Sequence, residues 1–501
     1  MELTDEQREI VHHHPAPHQR ILVNAYAGTG KTTTCRAIIE RHGAQMRFDG
    51  SLYPRAPGGA GLRFLYLVFN RSVQKDAERR LSDLEHCDCR TSHSIAYRFA
   101  FGHCKGFRTQ MALYATTHPE TKTLLQEFFL SSEPELPSGG PPSVEEARAL
   151  WLQIASGKRP FTHDAYLKYF TLHPKAPKWL SKSYDAIIVD EAQDISEVMM
   201  DFLMKLPQPL YFVGDQHQSI YAFRNTKNAL ARIPHMLYNN EALFSFALTQ
   251  SFRFGNTIAS VANRILLAFG LDEGCLRGTS AEGFLLRADA FSKEELFESC
   301  RAHPWSVIGR TNAQVFMCAC EASAVGLRIH FVSHENTSPV IDSISAAIRK
   351  YAPRGRVNAT RLQRELDRAK ANDDTELCMI LQLIKRTDVH ELECMIANVK
   401  QHNVTRAQAN LVLGTVHGNK GLEWERVFLL DDFVPLGKLW SDARGVQVAH
   451  GGKGSASGAQ NPAEIADEVA FIHEEVHLYY VAVTRAIHTL RVNRGLDTLW
   501  K

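Results

Sequence analysis

The stretch that most constrains this chain is AYAGTGKTT, residues 25–33. A strand-like run, residues 21–24, leads into it, and the helical pattern TTCRAIIERH leads out. A strand, a glycine-rich turn and a helix N-terminus in that order make a phosphate-binding loop, because the unpaired amides and the helix dipole both favour an anion. The amides of Gly28, Gly30 and Lys31 are expected to cradle phosphate oxygens. Lys31 then reaches the β- and γ-phosphates, and the Thr32 hydroxyl sits on Mg²⁺. Ala27, Thr29 and Thr33 complete the predicted nucleotide loop. Ala25 stands at the first glycine position of the general pattern, which alanine tolerates while its φ stays negative.

Such a loop needs a metal-binding carboxylate at the end of a neighbouring strand, and YDAIIVDEAQD supplies one. The apolar run 186–189 reads as a buried strand. Asp190 and Glu191 emerge at its carboxyl end, where ligands of open α/β sheets sit. Asp190, with Thr32, is expected to hold Mg²⁺, and Glu191 is the candidate general base that orients the attacking water. The apolar run ahead of the two acids separates them from ordinary solvated surface charges. The chain is therefore expected to hydrolyse a nucleoside triphosphate.

Strand-like runs recur between helical stretches: RILVNAY, LRFLYLVF, DAIIVD and PLYFVGD, then WSVIGRT, LRIHFVS, LVLGTV and RVFLLDD. That alternation predicts parallel sheets covered on both faces. The 501 residues exceed one ordinary core, and the strands fall into two groups. The expected organisation is a first α/β domain from 1–90 and 181–240, and a second from 241–335 and 407–501. Mostly helical insertions occupy 91–180 and 336–406. Two Pro/Gly-rich segments, 131–143 and 450–462, are expected to be mobile loops.

Apolar content of 44% and charged content of 22% fit a globular protein, and 57 basic against 55 acidic residues argue neither for nor against nucleic acid. No apolar run approaches the roughly 18 residues of a membrane span, and MELTDEQREIV is too polar for a secretory signal. No membrane partner is expected, and the location is cytoplasmic, or nuclear in a eukaryote. The ten cysteines include no C-x-x-C pair, and the C-x-C of HCDCRTSH lacks zinc-site spacing.

With Gln193 and Asp194 following the two acids, the chain resembles the superfamily 1 helicases of the UvrD/PcrA/Rep type, and within them the F-box DNA helicase branch. The resemblance runs in order along nearly the whole chain. It implies two RecA-like parallel-sheet P-loop NTPase domains, ATP with Mg²⁺ as cofactors, and 3′-to-5′ movement on single-stranded DNA. LTDEQREIV is similar to the motif whose glutamine, here Gln7, reads the adenine edge. LVFNRSVQKDAERRL looks like a segment that touches single-stranded DNA, here through Asn70. TSHSIAY resembles a further DNA element, with Thr91 and His93 as contacts and Ser92 in place of an aromatic. In VGDQHQSIYAFRN the resemblance makes Gln218 the γ-phosphate sensor.

LTQSFR resembles the motif that sends an arginine, here Arg253, to the nucleotide, with Phe252 replacing the usual base-stacking tyrosine. GTVHGNKGLEWERV implies DNA contacts at Thr415 and His417 and nucleotide contacts at Gly421 and Glu423, the latter on the ribose. EEVHLYYVAVTRA places Arg485 as a second arginine finger. Fingers fit the chemistry, since phosphoryl transfer is catalysed mainly by positioning and charge stabilisation.

Unpaired strands are held by stacking on aromatics plus basic groups. Tyr221 and Phe223 are the best stacking candidates, with Arg224 for phosphate, and their i, i+2 spacing does not fit one helix face. The stretch 157–182 mixes Lys158, Arg159, Lys168, Lys175, Lys178 and Lys182 with Phe161, Tyr169 and Trp179. It either contacts duplex DNA or forms a solvated helical face over its own small core. Gln7 lies so near Met1 that no F-box is expected ahead of it.

The leading expectation is an ATP-dependent helicase acting at single-strand/duplex junctions. A translocase that strips proteins from a strand is one alternative. Another is an ATP-gated binding subunit that recruits a repair, recombination or defence partner.

Overall fold

A computed structural model describes residues 2–45, 62–68, 71–111, 116, 118–220, 229–237, 242–332, 339–371, 374–451 and 462–500. The chain divides into two compact units, 1–249 and 250–501.

The first unit is built on six parallel strands: β1 (Gln19–Ala25), β2 (Phe64–Val68), β3 (Cys87–Thr91), β4 (Ala186–Asp190), β5 (Leu210–Gly214) and β6 (Ala242–Leu248). Their order is β3-β2-β4-β5-β1-β6. β2, β4 and β5 are buried at every residue, as their unbroken apolar runs require of strands covered on both faces. β6 pairs with β1 from Ala242 to Leu248, so the first unit runs past the expected 240/241 boundary to Thr249. ALFSFAL was missed as a strand because it is an edge strand with mostly half-exposed residues.

Register brings the site together. Asp190 lies opposite Val213, and Val213 opposite Val23, so β1, β4 and β5 end side by side at one edge of the sheet. One face packs against the helix Lys31–Gln45 through Cys35, Ile38 and Ile39. The other packs against helices of the 91–180 stretch, among them Ser92–His103 and His163–Leu172. That stretch shares the core of the sheet. Phe161 and Lys168 of the basic-aromatic segment are buried, and Tyr169 and Trp179 pack against that core. The Lys168 ammonium donates to the carbonyls of Ser131 (2.8 Å) and Glu133 (2.5 Å) and lies 4.2 Å from the Phe128 ring centroid. Burial lowers its pKa to about 8. The segment therefore has no small core of its own: Phe161, Leu167 and Phe170 join the core of the first sheet.

The second unit repeats the plan. Its strands are β7 (Gln250–Gly255), β8 (Arg277–Thr279), β9 (Phe284–Leu286), β10 (Trp305–Gly309), β11 (Ile329–Phe331), β12 (Leu411–Thr415), β13 (Trp424–Leu429) and β14 (Ala486–Arg491). Six of them form a parallel sheet in the order β11-β12-β10-β13-β14-β9, and β7 pairs with β8. The helices Pro339–Tyr351, Ala359–Ala371, Thr375–Arg386 and Val389–His402 join one core with β10 and β12 through Ile344, Leu381 and Leu392. The fold class is thus the expected one, two parallel-sheet α/β domains with helical additions. None of the described helices is long and apolar enough to cross a membrane.

Candidate active site

β1 runs into a turn whose Gly28 and Gly30 have φ of 75° and 80°. These left-handed values suit glycine, and they let the backbone release directly into the helix that starts at Lys31. Thr29 Oγ1 donates to the Tyr26 carbonyl at 2.8 Å, and Gln7 Nε2 donates to the Thr29 carbonyl at 3.4 Å. Gln7 is buried and closes a capping box with Thr4 at the head of the helix Asp5–His12. The predicted adenine reader therefore sits against the phosphate loop.

Asp190 ends β4 and is almost fully buried. Tyr66 Oη donates to one carboxylate oxygen at 2.6 Å, and the Glu191 amide to the other at 2.9 Å. Burial, aided by the neighbouring Glu191 charge, pushes the Asp190 carboxyl up to about 6. A carboxylate whose charge is uncomfortable in this way is relieved by a cation. The oxygen-only pair of Asp190 and the Thr32 hydroxyl suits a hard ion such as Mg²⁺.

Glu191 is left-handed, with φ 51° and ψ 44°, a costly conformation for a residue with a side chain. Its carboxylate lies between two partners. Lys31 Nζ is 3.7 Å from one oxygen, and Gln193 Nε2 donates to the other at 2.5 Å. Gln193 is fully buried, and its Oε1 accepts the Asp215 amide at 3.1 Å. Asp215, also fully buried, accepts from Gln218 Nε2 at 2.8 Å and from the His217 amide at 3.0 Å. A continuous buried chain thus joins Glu191, Gln193, Asp215 and Gln218. Gly214 makes room for it, because a Cβ there would collide with Gln193 Oε1.

In the second unit Arg253 Nε donates to Glu423 at 2.7 Å, and a terminal nitrogen to the Thr484 carbonyl at 2.9 Å. Phe252 beside it is 53% exposed. Gly421 turns the preceding loop with φ 83°. Arg485 is different. It is buried, and its guanidinium donates to the Val481 and Leu422 carbonyls and to Thr484 Oγ1 at 2.9, 3.2 and 3.0 Å. Arg20 and Arg491 clamp backbone carbonyls in the same way. In this structure Arg485 ties the end of the helix Pro462–Val483 to the loop before β13.

Thr91 and Thr415 close β3 and β12, and each caps the helix that follows. Thr91 Oγ1 accepts the Ser94 amide at 3.1 Å, and Thr415 Oγ1 accepts the Gly418 amide at 3.3 Å. His93 and His417 stand in the first turns of those helices. Asn70, Tyr221, Phe223 and Arg224 lie outside the described residues.

Comparison with known proteins bears on this geometry. A profile for an AAA domain matches residues 7–224, and one for the UvrD-like helicase C-terminal domain matches 314–493. The chain belongs to the UvrD-type helicases. Within them it is similar to F-box DNA helicase 1 of Gallus gallus, at 27% identity over 100% of this chain and 50% of that protein. It is also similar to F-box DNA helicase protein 1 of Schizosaccharomyces pombe, at 25% identity over 99% of this chain and 58% of that one. A probable DNA helicase II homolog of Mycoplasma pneumoniae is 29% identical over 29% of this chain and 21% of its own length. The chain spans 50% and 58% of the lengths of the two F-box relatives.

Sequence reasoning about this UvrD-type chain passed over three positions. Gln193 was visible inside DEAQD, but nothing in the string tells that its amide bridges two motifs. Tyr66 lies in an apolar strand, and only the pairing of β2 with β4, Tyr66 opposite Ile188, carries its hydroxyl to Asp190. Asn419, fully buried, donates to the Thr415 carbonyl at 2.9 Å and accepts from Trp424 Nε1 at 2.8 Å. The asparagine of GNKG thus fixes the loop after β12.

Proposed function

We propose that this chain is an ATP-dependent DNA helicase that moves 3′ to 5′ along single-stranded DNA and separates duplex ahead of it. The observation that carries the reading is the convergence of the Gly28–Gly30 turn, Lys31, Asp190 and the left-handed Glu191 at one sheet edge in a UvrD-type chain. Relatives named as DNA helicases support the nucleic-acid substrate, and the direction of movement rests on the family resemblance.

In this mechanism the loop amides and Lys31 bind the triphosphate, and Asp190 with Thr32 holds Mg²⁺, which supplies charge stabilisation at the phosphates. Glu191, its carboxylate held by Gln193, orients the attacking water. Arg253 exchanges Glu423 for the nucleotide. That exchange is inexpensive because Glu423 is about half exposed and such pairs contribute at most about 1 kcal/mol.

The test is ATP hydrolysis with and without single-stranded DNA, then unwinding of 3′-tailed against 5′-tailed duplexes, with Lys31→Ala as control. DNA-stimulated hydrolysis and unwinding from the 3′ tail are expected. Unwinding only from a 5′ tail overturns the polarity, and turnover retained by Lys31→Ala overturns the site.

A further inference from the structure

The helix Ser92–His103 begins at the ligand-bearing edge of the first sheet and carries His93, Tyr97 and Phe101 at i, i+4 and i+8. That spacing lines up the three rings on one helical row. Its buried side is Ile95, Ala96, Phe99 and Ala100. The row faces outward, with the His93 side chain 39% exposed, Tyr97 45% and Phe101 71%. Single exposed apolar residues are ordinary, but a contiguous exposed set marks an interaction surface.

The rings are held in place. Tyr97 and Phe101 lie parallel within 8°, centroids 6.5 Å apart. Phe107 stands perpendicular to both, at 5.2 and 6.4 Å. The buried Tyr166 meets Tyr97 edge-on at 5.8 Å and His93 at 6.0 Å. An exposed aromatic pair fixed from beneath has little rotamer freedom left to lose on binding, which favours a flat ligand.

Cations gather beside the row. The turns after the helices Ser92–His103 and Pro142–Ala155 pack backbone to backbone, where a Cβ on Gly157 (φ 74°) would collide with the Lys105 carbonyl. Arg108, next to Phe107, donates to the Lys158 carbonyl at 3.1 Å. Lys105, Arg108 and Lys158 are all exposed, and no ion pair holds them among the described residues. Asp164 lies 3.4 Å from His93. At its inner end the row joins the candidate active site, since Ser92 and His93 line one pocket with Asp190, Glu191 and Ser196.

We propose that His93, Tyr97 and Phe101 form a stacking track for unpaired nucleotides of single-stranded DNA, with Lys105, Arg108 and Lys158 along its phosphates. The inference rests on the helicase reading above and extends it to two rings and three cations which that reading does not use. Exposed ring faces flanked by unpaired cations match a single strand, whose bases are free to stack. A duplex buries its base faces and offers them only at an end.

The test uses the full chain and a fluorescein-labelled oligothymidylate. Removing one stacking ring lowers affinity about 5- to 150-fold. Tyr97→Leu with Phe101→Leu therefore weakens binding by at least that much, Tyr97→Phe retains it, and thermal melting confirms that each variant is folded. Arg108→Glu with Lys158→Glu makes binding less salt-dependent, the log–log slope falling by about 0.7 for each phosphate no longer neutralised. An oligothymidylate carrying 5-iodouracil cross-links at Tyr97 or Phe101.

Wild-type affinity in the folded leucine variant overturns the track. So does a loss confined to blunt duplex. Loss of self-association in that variant, with oligothymidylate binding unchanged, assigns the surface to a protein and also overturns it. If the wild-type chain binds no oligothymidylate, the helicase reading itself fails, which is a separate result.

Discussion

Gly214→Ala is the substitution that probes the site most directly without touching a group assigned to chemistry. Its added Cβ falls well inside 3.0 Å of Gln193 Oε1, at 3.0 Å from the Ala192 amide and 3.1 Å from Leu230 Cδ1. The Gln193 amide must swing away. It then releases the Asp215 amide, now 3.1 Å from its oxygen, and the Glu191 carboxylate, now 2.5 Å from its nitrogen. Overpacking a tight interior costs about 1–3 kcal/mol. Leaving the buried Asp215 donor unpaired adds about 1–3 kcal/mol. A loss of about 2–6 kcal/mol is expected in the urea transition of the first unit. The same displacement frees Glu191, so nucleotide binding persists while hydrolysis slows on the order of tenfold or more.

A double-mutant cycle separates this cause from the others. In a Gln193→Ala background the colliding amide is gone, and adding Gly214→Ala costs at most about 1 kcal/mol. Equal cost in both backgrounds would show that the collision is with Ala192 or Leu230, and the argument for a Gln193 bridge would fall.

The two arginines of the second unit should part company. Arg485→Ala removes the bonds to the Val481 and Leu422 carbonyls and to Thr484 Oγ1, and is expected to destabilise by about 1–3 kcal/mol in chemical denaturation; a variant melting like wild type would refute the clamp. Arg253→Ala breaks a pair to a half-exposed glutamate, so it changes stability by at most about 1 kcal/mol. It slows ATP turnover on the order of 10³-fold, measured at saturating nucleotide. His42 should give the first unit an acid sensitivity. Burial, with the charges of His14 and Arg41, lowers its pKa to about 4 from 6.5. Between those values the unfolded chain takes up a proton that the fold refuses, so stability is full above pH 6.5 and falls as pH drops toward 4. The loss is up to about 3 kcal/mol, and melting against pH should flatten in His42→Gln.

How much of this was legible depends on where each signal resides. The phosphate loop and the Asp190–Glu191 pair were readable because local backbone geometry and a buried strand each leave a contiguous signature. The central strands were readable for the same reason, being buried at every residue. β3 and β14 were not, because CDCRT and AIHTLR carry polar residues whose partners come from elsewhere in the chain. Arg491 in β14, for example, is satisfied by the carbonyls of Leu429 and Ala288. Arg485 illustrates the limit from the other side. A motif fixes that an arginine is present, but whether its guanidinium meets a phosphate or a set of carbonyls depends on tertiary packing against Leu422, 63 residues away. Lys168 was grouped with surface cations by its neighbours in sequence, and the helix phase that buries it emerges only once Phe161 and Phe170 are packed.

The buried chain of amides and the two threonine caps together suggest how hydrolysis could be felt along a strand. Glu191 is joined to Gln218 through the buried Gln193 and Asp215, so a displacement of the Gln193 amide alters the hydrogen bonding of both Glu191 and Asp215. Buried polar networks of this kind have few arrangements that satisfy every member, which favours discrete alternatives over gradual motion. The first unit also repeats a local device found in the second. A strand ends in threonine, the threonine caps a helix, and a histidine follows two residues on, as Thr91–His93 and Thr415–His417. In each, the hydroxyl accepts one amide and keeps its own proton to donate. In the proposed helicase, Thr91 and Thr415 would each hold the strand in one unit, and alternation between them would require opposite nucleotide states. Thr91→Val and Thr415→Val should then each weaken single-strand affinity in only one nucleotide state, and opposite states for the two variants. Equal weakening with and without a non-hydrolysable nucleotide would leave the threonines as caps alone.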